Sequence, residues 1–311
     1  MPVFGPVPSR RLGRSIGVNN IPPKSCTYAC VYCQVGRTTD MRVERRGFFS
    51  PQELVTEVKT KLEEAELRSE HVDYLTFVPD GEPTLDENLG VTIRRLKKLG
   101  QKIGVISNSS LIWQPKVRED LMEADWVSLK VDSLQLAAWK KVNRPHPRLC
   151  LDSILEGIRC FSRDFSGHLV TETLVVKGIN DSEEGLSENA GFIREIDPKT
   201  AYISTPIRPP AEKWVTSADP EVLNSAFQIY SEKLANVEFL ISYEGDDFSL
   251  TGDIEQDILS ITAVHPMRRQ AVLRFIEKGG GKSSLLDSLV DKKALICRTY
   301  KGEEYFLRAI S

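Results

Sequence analysis

The sequence predicts an α/β protein in which six β/α units roll a parallel sheet into a full or partial (β/α)6 barrel, with a small winged-helix-like segment after it. Three observations carry this expectation. From Ser50 onward, helix-like stretches alternate with short strands rich in β-branched residues, the pattern of parallel βαβ units. Near residue 250 the alternation stops, and residues 251–311 read instead as two short helices and a hairpin. With 311 residues, 41% hydrophobic and 27% charged, the chain is also long enough for one large domain, expected over 1–250, and a small one over 251–311.

Taken in order, the first strand lies near "SIGVNNI" (15–21). A helix follows at "PQELVTEVKTKLEEAE" (51–66), where apolar residues recur at helical spacing, and then the strand "VDYLTFV" (72–78). The later strands are "KIGVIS" (102–107), "WVSLKVD" (126–132), "HLVTETLVV" (168–176) and "AYISTPI" (201–207), each separated from the next by helical sequence. In such a barrel the functional groups collect at the C-terminal strand ends. "FLISYEGDDFSLTGD" (239–253) reads as the junction to the last segment. There, "HPMRRQAVLRFIEKGG" and "SSLLDSLVDKK" are the helices, with Ser283 or Ser284 as N-cap, and "ALICRTYKGEEYFLRAI" is a hairpin turning at Lys301-Gly302.

The bulk properties point to a cytoplasmic protein with no membrane segment, expected to be a monomer. The N-terminus lacks the apolar core of a signal peptide, and no apolar run approaches the roughly 18 residues of a membrane helix. The net charge of -3 is unevenly spread. Residues 1–49 hold eight Lys/Arg against two acids, and residues 253–311 hold ten against eight. Local basic groups, Arg10, Arg11 and Arg14, then Arg42, Arg45 and Arg46, are therefore candidates to meet phosphates.

Three of the six cysteines, Cys26, Cys30 and Cys33, fall within "CTYACVYC". In a reducing compartment, such spacing favours a metal or redox role over disulfides. Zinc is the weaker reading, because it takes four ligands and no second Cys or His pair matches. A [4Fe-4S] cluster held by three cysteines keeps one iron without a protein ligand, which leaves an open position for a substrate or cofactor. Tyr32 would shield the cluster and pack beside a bound nucleoside. Cys150, Cys160 and Cys297 lie far apart and read as buried structural residues. "GGGKSS" imitates a phosphate-binding loop, but Ile276 stands where the first glycine is required, so it reads as a turn between two helices. His146, in the proline-bounded "NRPHPR", reads as structural.

The cysteine motif, placed after a first strand and before repeated β/α units, resembles the radical S-adenosylmethionine (SAM) superfamily over roughly Gly5 to residue 240. "PDGEPTL" looks like that family's Gly-Gly-Glu segment, with Asp80 in place of the first glycine and Gly81, Glu82 and Pro83 retained. The resemblance implies a [4Fe-4S] cluster on Cys26, Cys30 and Cys33, and SAM held beside Tyr32, Gly81, Glu82 and Pro83. Ser107 and Asn108 end the third strand where relatives bind ribose or carboxylate, or are a polar turn that closes it. Lys130 and Asp132 alternate along the fourth strand and so share a face. They are either further SAM contacts or a salt bridge to each other. Thr171, Glu172 and Thr173 are similar candidates on the fifth strand, with Glu172 alternatively a solvated residue or a substrate contact, and Thr205, ending the sixth, is a further SAM contact candidate.

The implied chemistry is reductive cleavage of SAM, with one electron from a reductant such as flavodoxin or ferredoxin, giving a 5′-deoxyadenosyl radical that abstracts hydrogen from the substrate. "FGPVPSRRLGRSIGVNN", "CTYACVYC" and "VNRPH" look most like the iron-sulfur oxidoreductases similar to wyosine-base synthases, which rebuild a guanine in tRNA. Those synthases carry further cysteines upstream, whereas this chain has none before Cys26, so the wider expectation of an RNA substrate is the one carried forward. A winged helix with Arg268, Arg269, Lys292, Lys293 and Arg298 is consistent with it. Two other classes stay open: a radical SAM enzyme acting on a peptide, protein or small metabolite, and a non-catalytic iron-sulfur or zinc module.

Overall fold

The computed structural model describes residues 2–241, 248, 250, 252–264 and 266–309. The chain opens with an antiparallel pair, β1 (Val3–Ser9) and β2 (Gly13–Val18), followed by two short strands that pair with each other, β3 (Ser25–Cys26) and β4 (Asp40–Met41). Then come α1 (Pro51–Leu67), β5 (Tyr74–Phe77), α2 (Leu89–Lys97), β6 (Lys102–Ser107), α3 (Pro115–Leu121), β7 (Trp126–Lys130), α4 (Leu136–Asn143), α5 (Leu151–Asp164) and β8 (His168–Leu174). The series ends with α6 (Glu183–Ile196), β9 (Thr200–Ser204), α7 (Pro220–Ser231) and β10 (Val237–Phe239).

Eight strands form one sheet in the order β1-β2-β5-β6-β7-β8-β9-β10, and every pairing from β2 to β10 is parallel. The sheet ends at β1 on one side and β10 on the other, which is the open form of the two barrels expected. All six expected strands are present. The two unforeseen ones sit at the edges, where Pro6 and Pro8 are tolerated in β1 and where β10, only three residues long, gives no periodic signal.

Local sequence explains the helices that cover the outside. Ser50 caps α1 in a reciprocal capping box with Glu53, Pro51 occupies the first turn, and Leu54, Val55, Val58 and Ala65 turn inward onto the main core. On the inner face, Tyr74, Ile106, Trp126, Val170 and Tyr202 gather around Leu12 from the β1–β2 turn. Tyr74 and Trp126 are the first residues of their strands, and Tyr202 is the third of its own. The β1–β2 turn therefore plugs the N-terminal end of the barrel and leaves the C-terminal ends for a site.

The last segment contains α8 (Ile254–Val264), β11 (Met267–Arg268), α9 (Arg269–Lys278), α10 (Ser284–Asp291), β12 (Leu295–Tyr300) and β13 (Glu303–Arg308). Its sheet runs β11-β13-β12, over a separate buried cluster that includes Phe248, Met267, Phe275, Leu286 and Phe306. The expected helices and hairpin are there, joined by α8 and β11, which sequence reading did not place. Lys301 and Gly302 both have positive φ, 50° and 79°, as a two-residue hairpin turn of this hand requires. "GGGKSS" lies between α9 and α10, as a turn. The expected junction falls partly on 242–247, 249 and 251, outside the described residues. The segment is tied to the rim of the barrel: Tyr300 Oη donates to the Pro206 carbonyl at 2.8 Å and Tyr305 Oη to the Ile207 carbonyl at 3.3 Å, both just beyond β9.

Candidate cluster and cofactor site

The cysteine loop leaves the C-terminal end of β2 and is held by backbone bonds from two directions. The stretch 142–146 straps one side: Ala29 N donates to Asn143 O at 3.0 Å, Val31 N to Val142 O at 2.9 Å and His146 N to Thr27 O at 2.9 Å. The turn after β5 holds the other, with Lys24 N donating to Asp80 O at 2.8 Å and Glu82 N to Ser25 O at 3.2 Å. His146 is thus part of the frame that shapes the loop.

Cys26, Cys30 and Cys33 all line one open cavity, together with Lys24, Tyr32, Asp80, Gly81, Glu82, Ser107, Asn108 and Lys130. Enclosure pushes all three thiols above their ordinary range, Cys30 to about 12 with Asp132 adding to the rise. Among the described residues, no three Cys, His, Asp or Glu side chains converge on a point fit for a single ion. A polynuclear cluster gives each thiolate its own iron and needs no such convergence. Two buried polar atoms also point to a missing ligand: Lys24 Nζ and Asp80 Oδ1 have no hydrogen-bond partner, although Lys24 is 8% and Asp80 2% exposed. Burial pushes the Asp80 carboxyl up to about 7, against the opposing pull of Lys24 and Arg308. Three enclosed thiols on one cavity, with unpaired polar atoms in its wall, fit a cluster and a polar cofactor.

The expected contacts divide into those facing the cavity and those used up elsewhere. Glu82 is fully buried. Its Oε1 accepts from Thr84 N, Thr84 Oγ1 and Ser107 Oγ at 3.1, 2.6 and 2.8 Å, and its Oε2 accepts from Asn108 N at 2.7 Å. Burial still raises its pKa against these four bonds. Glu82 and Ser107 thereby staple the ends of β5 and β6 together. A Cβ on Gly81 would stand 1.9 Å from the Ser25 carbonyl, so this glycine allows the turn to approach the cysteine loop. The space that a side chain at Gly81 would need is taken by the Ser25 carbonyl.

Lys130 lies in the cavity with its ammonium 4.9 Å from the centre of the Tyr32 ring and 3.3 Å from Glu172 Oε1. It does not pair with Asp132, the bland alternative. Asp132 instead accepts from Tyr32 Oη, from Asn143 Nδ2 at 2.7 Å and from Leu174 N at 2.9 Å. Three residues expected as SAM contacts do not line the cavity. Asp132 faces a small neighbouring pocket. Pro83 is buried and accepts from Asn20 Nδ2 through its carbonyl. Thr205 donates to Val175 O and accepts from Ala218 N, bonds that only hold β9 to its surroundings. Their side chains are consumed by the fold, which strand-end position alone does not reveal.

Several of the N-terminal arginines are similarly consumed. Arg11 reaches under the barrel, lies over Trp126 and Tyr202 and binds Glu172 Oε2 at 2.8 Å. Burial would raise the Glu172 carboxyl, but Lys130 and Arg11 hold it down at about 2. Arg45 pairs with Asp120 at 2.5 Å, Arg42 with Asp40 at 2.6 Å, and Arg14 with Glu70 at 3.6 Å. These four therefore form ion pairs, where a phosphate surface was expected, whereas Arg46 is exposed beside the Phe48 ring. Thr171 Oγ1 is buried without a partner, and Thr173 Oγ1 donates to Val131 O. Cys150 and Cys297 are exposed and Cys160 is half-buried, contrary to the expectation of burial. Sequence reading missed Lys24 and Asn143; the only signal for Asn143 was its place in "VNRPH".

A parallel partial barrel with three thiols at the C-terminal end of its first parallel strand defines an iron-sulfur barrel enzyme. The radical SAM superfamily profile matches residues 20–188, and the chain belongs to that superfamily. Its members use a [4Fe-4S] cluster and SAM. The chain is 42% identical to UPF0026 protein MJ1312 of Methanocaldococcus jannaschii over 99% of its own length and 96% of that protein. It is 36% identical to a UPF0026 protein of Helicobacter pylori (strain J99) over 71% of each. A solved structure of TYW1 with a lysine-pyruvate adduct bound is similar in fold, with a TM-score of 0.54 and 14% identity over 72% of this chain and 76% of that one. Among the described residues, no helix is long and apolar enough to cross a membrane.

Proposed function

We propose that this radical SAM enzyme modifies RNA, with residues 251–311 acting as a winged-helix-like docking module. Cys26, Cys30 and Cys33 hold the cluster, and Tyr32, the Gly81–Glu82 turn, Ser107, Asn108 and Lys130 form the wall against which SAM binds. When bound, the cluster and SAM supply a carbon radical that abstracts hydrogen. The chain's own work is to hold and orient. Lys130 is kept charged, because Glu172, Asp132 and Cys30 outweigh its burial, so it can meet a carboxylate. Tyr32 offers a ring face for a base. The Arg11 plug closes the lower end, so substrate enters from the rim. One electron comes from a reductant of the flavodoxin or ferredoxin kind.

The placement of the C-terminal sheet is the observation that carries the RNA reading. Tyr300 and Tyr305 fix it at the rim, and two of its exposed arginines act electrostatically on cavity residues, Arg298 on Lys24 and Arg308 on Asp80. A strand docked there would pass from this surface to the cavity mouth. Arg269, by contrast, is engaged by Glu304 at 3.1 Å, and Arg268 Nε donates to Tyr305 Oη, so the surface is narrower than the sequence suggested. The similarity of fold to TYW1 is consistent with this reading.

The test is RNA affinity across a salt series. Replacing Lys293, Arg298 and Arg308 by Ala should weaken binding and flatten the log-log salt slope by roughly 0.7 to 0.9 per lost phosphate contact. An unchanged slope removes this surface from RNA binding. No binding by the intact protein favours a peptide or metabolite substrate instead.

A further inference from the structure

Asn108 and Asn143 come from distant parts of the chain and converge on the cysteine loop. Asn108 follows the last residue of β6, and its Nδ2 lies 3.5 Å from Cys26 Sγ and 2.8 Å from Thr27 Oγ1. Asn143 is the last residue of α4, and its Nδ2 lies 3.4 Å from Cys30 Sγ and 2.7 Å from Asp132 Oδ2. Both sulfur contacts lie within the longer reach of an N–H···S bond. The amide orientations are set by their other partners. Asn108 Oδ1 accepts from Ser110 N at 3.0 Å, so its nitrogen must face the sulfur. Flipping Asn143 would aim its carbonyl at the Asp132 carboxylate. Asn143 is 2% exposed and Asp132 5%, so this pair is held away from water, whereas Asn108 is half-buried.

We propose that Asn108 and Asn143 are hydrogen-bond donors to the cluster's thiolate ligands and raise its reduction potential. This rests on the cluster reading of Cys26, Cys30 and Cys33. The added electron makes the cysteine sulfurs more electron-rich, so an N–H aimed at them binds the reduced form more strongly than the oxidised form. No bond is made or broken; the cluster gains one electron from the external reductant. A cluster that must accept an electron before SAM is cleaved is thereby made easier to reduce. Neither asparagine reacts; both act through the cysteines.

The experiment is a redox titration of the anaerobically reconstituted full-length protein without SAM, followed by optical and electron paramagnetic resonance spectra. Asn108→Ala and Asn143→Ala should each lower the midpoint. The expected loss is about tenfold in the reduction equilibrium, or about 59 mV for a one-electron couple. Asn189→Ala is the control. Asn189 is equally buried but donates to Val131 O and accepts from Leu134 N, far from any sulfur in its bonding, so its loss should leave the potential in place. Unchanged midpoints in both asparagine variants, each with a full complement of iron, would overturn the proposal. If Asn143→Ala does not retain its cluster, the Asn108→Ala midpoint decides alone. A wild-type protein without an iron chromophore would overturn the cluster reading, and the proposal with it; an intact chromophore with unmoved midpoints overturns only the proposal.

Discussion

The barrel and the C-terminal segment use their charges in opposite ways. Inside the barrel, Arg11, Glu172 and Lys130 form a buried chain of opposite signs that runs from the plug to the cavity, and Arg45 and Asp120 lock the outer layer. In the C-terminal segment, Lys293, Arg298 and Arg308 stand exposed on or beside a sheet docked at the rim. A charge enclosed in protein is committed to its partner because desolvation makes separation costly, whereas an exposed one keeps its water and can exchange it for a ligand. The first region therefore spends these charges on building its interior, whereas the second keeps its own exposed at the rim.

The sharpest break in this comparison is expected at the cysteines. Cys30→Ala should abolish both iron binding and SAM cleavage while the C-terminal sheet keeps its fold, as read by iron analysis and a cleavage assay. Robust zinc binding with no iron chromophore in the wild type would refute that expectation. Next comes Gly81→Val. Because a Cβ there meets the Ser25 carbonyl, the variant should displace the start of the cysteine loop and lower cluster occupancy severalfold. Full iron content with weakened SAM binding would instead mean that the side chain points at the ligand.

The buried charge chain should answer to mutation and to acid. Glu172→Gln leaves Arg11 and Lys130 enclosed without their counter-charge, at a cost of about 3–5 kcal/mol in denaturant unfolding. In the wild type, the Glu172 carboxyl is held at about 2, below its ordinary 4.5, so its contribution is complete above the unfolded value and is lost as pH falls through 4.5 toward 2. The variant should lose part of that acid-side slope. The smallest effect belongs to the exposed surface: Arg298→Ala should change stability by no more than about 0.5 kcal/mol. A larger loss would show that this arginine is structural and would erase the contrast between the two regions.

Much of this was legible because it is local or periodic. All six parallel strands expected from β-branched stretches are present, and the Cys-x3-Cys-x2-Cys spacing located the cavity that the structure confirms as common to all three thiols. The Lys301-Gly302 turn was readable from two residues. Edge strands escaped notice because β1 carries prolines and β10 has only three residues. Asn143 escaped because nothing in "VNRPH" says that it meets Cys30, a residue 113 positions away.

Alternation with period two placed Lys130 and Asp132 on one face, since successive strand side chains point to opposite sides whatever surrounds them. Which partners they take there depends on what the neighbouring strands and the plug bring within a few ångströms. Only the folded chain sends Lys130 to Glu172, spends Asp132 on Tyr32 and Asn143, and turns Arg11 inward. The repeat, the strand faces and the thiolate spacing are written along the chain, because backbone geometry and covalent order settle these. Tertiary structure decided which charges are consumed and which remain at the rim, because hydrogen bonds and ion pairs form by distance in space.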